Sequence, residues 1–136
     1  MDNSTLDQED LYALLIAKDY IKDYTNSIEQ HQAYHDLMQF SVKTNGVELN
    51  SSIYYAYKEF HTAIKAYRKA IKHYEELLAY FDKNAEIVQE CYALKNELKQ
   101  KVETLIVETR EFIKSMKKMG LEFPLPEIED QNKFPC

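Results

Sequence analysis

The chain has 136 residues, 45% of them apolar and 29% charged, the balance of one folded domain rather than a disordered segment. With two glycines and three prolines it has too few turn formers for a β-sandwich or barrel, and no apolar run reaches the ~20 residues that span a bilayer. Acids exceed bases by 23 to 17, a net charge of −6, so the basic excess that general nucleic-acid binding requires is missing.

The opening Met1-Asp2-Asn3-Ser4-Thr5 is polar and acidic, unlike a secretory signal peptide. The expected location is therefore the cytoplasm, of a bacterium or, for a viral protein, of the host. A first helix is predicted over 6–44. Thr5 and Gln8 fit a capping box, and Asp7, Glu9 and Asp10 complement the positive end of a helix. Leu14, Ala17, Ile21, Tyr24, Ile28, His31, His35, Met38 and Val42 recur at alternating spacings of three and four, which holds one face on one neighbour over many turns. Thr25-Asn26-Ser27 is a run of poor helix formers, and a break near Asn26 would turn three helices into four.

This helix carries more apolar surface than one seam uses. Leu11, Leu15 and Ile16 fall off the Leu14/Ala17 stripe, together with Tyr12 and Tyr20, and these five are the expected partner-binding residues. Residues 1–44 also hold eight acids against three bases, a charge suited to a basic site on a partner. His31 and His35 stand one turn apart with Glu29 and Asp36 nearby, a spacing from which a helix can chelate a metal. Partial burial with hydrogen bonding is the plainer alternative. If the pair is buried, protonation is expected to loosen the bundle.

Lys43-Thr44-Asn45-Gly46 ends the first helix, and Asn50 or Ser51 caps a second over 51–83. Its seam is Ile53, Tyr57, Phe60, Ile64, Tyr67, Ile71, Tyr74, Leu78 and Phe81, widened by Ala56, Ala63, Ala70 and Leu77. Lys58, Lys65, Arg68, Lys69 and Lys72 read as a solvated basic stripe. Arg68-Lys69-Ala70-Ile71-Lys72-His73 also resembles the R-x4-H motif of HEPN ribonucleases, over six residues, with Lys69 where that family favours Asn, Asp or His. The resemblance implies a helical, often dimeric RNase in which Arg68 steadies phosphate charge and His73 does acid–base work.

Asp82-Lys83-Asn84 makes the next turn, with Asn84 as the expected cap of a third helix over 85–119. Ile87, Cys91, Leu94, Leu98, Val102, Leu105, Thr109, Phe112, Met116 and Met119 form its seam, with a stutter at Leu94–Leu98–Val102. Lys114, Lys117 and Lys118 suit its negative end, and Gly120 its C′ position. From Leu121 to Asp130 apolar residues alternate with acids and prolines, an extended segment whose Phe123, Leu125 and Ile128 are further partner-binding candidates. Two cysteines build no disulfide framework; Cys91 reads as a small core residue, and Cys136 ends the chain.

The sequence thus predicts an all-α domain over 1–120, an elongated antiparallel three-helix bundle with coiled-coil-like seams, followed by an extended acidic tail over 121–136. No catalytic residue, resident metal or cofactor is assigned. The expected function is a non-enzymatic protein–protein interaction module: an adaptor, a chaperone-like partner or a small inhibitor acting by surface occlusion. A second copy of the chain is the first partner expected. The alternatives are a HEPN-like RNase, or an inactive relative, using Arg68 and His73, and a helical metal-binding bundle using His31 and His35.

Overall fold

The computed structural model describes residues 6–45 and 51–118, which form three helices and no strand: α1 Gln8–Asn45, α2 Ser51–Leu78 and α3 Glu86–Lys118. The 38 residues of α1 extend about 57 Å at ~1.5 Å per residue. Contacts give the directions. Cys91 lies against Leu14, Lys101 reaches Glu29 and Gln32 reaches Glu108, so α1 and α3 run the same way. Tyr67 pairs with Ser27, and Lys95 with Glu75, so α2 runs against both. Consecutive helices are thus antiparallel, as short connections require.

Local chemistry sets the ends somewhat differently from the sequence expectation. Asp7 is the N-cap of α1: its carboxylate accepts from the Asp10 amide at 2.8 Å and its carbonyl from the Leu11 amide. The expected capping partner Thr5 lies outside the described residues, as do Asn50, Met119, Gly120 and the whole tail with Phe123, Leu125 and Ile128. Through Thr25-Asn26-Ser27 α1 continues unbroken. The Thr25 hydroxyl donates back to the Ile21 carbonyl, and the Ser27 hydroxyl bonds Tyr67 on α2 at 2.7 Å, so tertiary contact outweighs poor propensity and no fourth helix forms.

At its far end α2 stops at Leu78 rather than residue 83, because the Tyr80 and Phe81 amides turn to carbonyls three residues back. In the following turn Asp82, not Asn84, supplies the side-chain acceptor, taking the Asn84 amide at 2.9 Å, and α3 starts at Glu86.

Burial follows the predicted seams, with α3 lying against both neighbours while the backbones of α1 and α2 approach closely at few points. A helix between two partners needs a broad apolar face, and Val88, Ile106 and Ile113 are accordingly buried beside the Ile87–Met116 seam. Between α1 and α2 the space is filled by rings, with Tyr24 edge-on to Tyr67 and Tyr74, and His31 edge-on to Phe60 and Tyr67. The core falls into two apolar clusters. One runs from Leu14 and Leu78 to Leu105 and Ile106; the other joins Met38, Val42, Tyr57, Phe60, Phe112 and Ile113. Fully buried His35 and Thr109 lie between them along α1 and α3.

Candidate functional site

Two features stand out from a plainly packed bundle: an apolar outer face on α1, and a buried histidine beside two carboxylates. On the outer face Tyr12 is 67% exposed, Leu15 45%, Ile16 40% and Tyr20 56%. They occupy the side of α1 turned from the Leu14–Ala17–Ile21 seam, flanked by exposed Glu9, Asp19 and Asp23. Leu11 departs from the expectation. It is half-buried and packs on the main core cluster. The face extends further than the sequence reading took it: Tyr34, Leu37 and Phe40 are also exposed, and their off-seam positions were a signal available in the sequence.

His31 and His35 both point toward α2, yet to different partners. His31 Nδ1 lies 3.0 Å from the Ser27 carbonyl and 2.9 Å from the Tyr67 hydroxyl. His35 is wholly buried; its Nδ1 shares a 2.7 Å hydrogen bond with the Tyr57 hydroxyl, and its ring meets Tyr57 and Phe112 edge-on. Desolvation holds the His35 imidazole below its ordinary pKa, opposed in part by the negative charge of Glu108 and Asp36. Tyr57, stacked on Phe112, is pushed well above the ordinary phenol range by burial. The same desolvation takes Tyr74 up to about 12.

The second nitrogen of His35, Nε2, is buried and makes no hydrogen bond. A ligating atom of His35 and one carboxylate oxygen each of Asp36 and Glu108 lie within 4.8 Å of one another. Among the described residues this is the one such group of three or more His, Cys, Asp or Glu side chains, and His31 is not part of it. Gln32 ties the two carboxylates together, its amide donating to Asp36 Oδ1 at 3.1 Å and to Glu108 Oε1 at 3.0 Å. Asp36 is exposed, Glu108 half-buried, and both line an open depression of about 420 Å³ between α1 and α3. Asp36 is legible in the sequence beside the histidines. Glu108 was out of its reach, since only the packing of α3 brings it there.

Arg68 and His73 occupy different surroundings. Arg68 is buried at 6% exposure, which takes it out of the expected solvated stripe. His73 is exposed, its ring edge-on to Tyr74. Cys91 is fully buried with its thiol near the Leu14 carbonyl, and burial pushes the thiol pKa up, which leaves it a core residue rather than a nucleophile. No helix of the described residues is long and apolar enough to cross a membrane. Comparison with protein-family models, curated proteins and solved structures finds no match.

Proposed function

We propose that the chain is a non-enzymatic interaction module, an adaptor, chaperone-like partner or small inhibitor that works by covering another protein's surface, in the cytoplasm of a bacterium or of a virus's host. The observation that carries this reading is the exposed Tyr12–Leu15–Ile16–Tyr20 face, since apolar residues gathered on the outer side of a helix lose unfavourable hydration when a partner covers them. Tyrosine suits such a surface, presenting an apolar ring and a hydroxyl that stays wet at the rim. The acids beside it favour a partner whose own apolar patch is bordered by lysine or arginine.

A second copy is the simplest occupant, through a two-fold contact of this face with itself. Light scattering over a wide concentration range compares wild type with a Leu15→Glu/Ile16→Glu variant. Wild type is expected to associate, and the variant to remain monomeric with an unchanged helical spectrum. Identical behaviour of the two would remove this face as the site of self-association. A native-host pull-down that recovers the same proteins with both would remove it as the site for a foreign partner.

A further inference from the structure

We propose that His35, Asp36 and Glu108 form a binding site for one divalent transition-metal ion, with zinc(II) the best-suited occupant. The inference stands apart from the α1 surface, for it rests on a buried nitrogen and on carboxylates held together. His35 is fully buried, and its Nδ1 is engaged by Tyr57, so Nε2 is the nitrogen left to act as ligand. When Nδ1–H donates to the Tyr57 oxygen, Nε2 carries a lone pair and no proton, the tautomer a metal ligand needs.

The carboxylates complete the set. Gln32 donates to one oxygen of Asp36 and one of Glu108, which holds the two carboxylates beside each other and leaves each a second oxygen. Lys101 lines the same depression but is directed to Glu29 at 3.3 Å and Glu97 at 4.0 Å. An ion bound at about 2.1 Å holds tetrahedral ligands about 3.4 Å apart, so the 4.8 Å group must contract on binding. Exposed Asp36 and half-buried Glu108, both lining the depression, have the rotamer freedom to close that distance. One imidazole with two carboxylates suits zinc(II) or cobalt(II) rather than magnesium, which favours an all-oxygen shell.

The test titrates chelator-treated full-length protein with zinc chloride, and in parallel with magnesium chloride, by calorimetry. One zinc per chain is expected, with no magnesium heat at the same concentrations. Glu108→Gln and Asp36→Asn, both outside the core, are each expected to weaken zinc binding at least about tenfold, and Gln32→Ala by about tenfold. Nitrogen-15 spectra of the imidazoles should show His35 Nε2, and not His31, shifting on addition of zinc. That measurement reads the buried ligand without substituting it. Absence of stoichiometric zinc uptake, binding that survives Glu108→Gln unchanged, or a zinc shift confined to other histidines would each overturn the proposal.

Discussion

The two ring nitrogens of His35 face opposite fates, one bonded to Tyr57 and one buried without a partner, and both bear on stability. Burial lowers its pKa below the ordinary 6.5, so between the two values the unfolded chain holds a proton that the folded chain does not. The contribution is therefore full above about pH 6.5 and shrinks as pH falls through 6.5 toward the folded value. Asp36 and Glu108 restrain the effect by favouring the imidazolium, whereas burial against the Phe112 and Tyr57 rings desolvates it. In chelator, the denaturant midpoint of wild type should drop between pH 7.5 and pH 5.5, and drop less for His35→Gln, whose amide still reaches Tyr57. Equal drops would place the sensitivity at another group. Tyr57→Phe keeps the ring stacked 5.0 Å from Phe112 but strips the hydrogen bond from Nδ1. Leaving a buried polar group unpaired costs about 1–3 kcal/mol, read as a lower midpoint at pH 7.5.

Between α2 and α3 the contact is held partly by charge, with Glu75 Oε2 receiving Lys95 Nζ at 3.1 Å and Lys99 Nζ at 3.6 Å. The Lys95 side chain is only 8% exposed and Glu75 29%, so the two substitutions should differ. Glu75→Ala leaves a desolvated ammonium behind and is expected to cost about 1–2 kcal/mol, below the figure for a fully buried pair. Lys95→Met keeps the stem's packing near Tyr92, leaves Glu75 with Lys99, and should be close to neutral in a urea melt. Such pairings were not legible in the sequence, where Lys95 merely borders the Cys91–Leu98 seam. What was legible is anything written as period: the seams of α1 and α2, the unbroken alternation of three and four, the turn at Asp82. Val88 escaped because a seam assumes one partner per helix, whereas α3 lies against two. Thr25-Asn26-Ser27 shows the converse, a local weakness that Tyr67 overrides from forty residues away.

Taken as one body, the molecule buries apolar residues where α3 meets both neighbours, yet leaves Tyr12, Leu15, Ile16 and Tyr20, and farther along Tyr34, Leu37 and Phe40, on the outside of α1. A surface helix ordinarily turns a charged or polar face outward, whereas the outer side of α1 mixes these apolar residues with Glu9, Asp19 and Asp23. Its outer residues add little to the fold, since surface substitutions away from special features usually change stability by about 0.5 kcal/mol or less. The interaction reading therefore separates folding from association in a measurable way. If the chain pairs through α1, its melting temperature must rise with concentration, because only the folded state binds the partner copy. For Leu15→Glu/Ile16→Glu the melting temperature should be independent of concentration and equal to that of dilute wild type. Leu37→Glu/Phe40→Glu, at the opposite end of the same face, then reports how far the contact extends: a concentration dependence preserved in this variant confines it to the α1 N-terminal half, and one abolished in it spreads the contact along the whole helix. A wild-type melting temperature that ignores concentration would leave the face to a foreign partner, whose capture both charge variants then dissect in the same way.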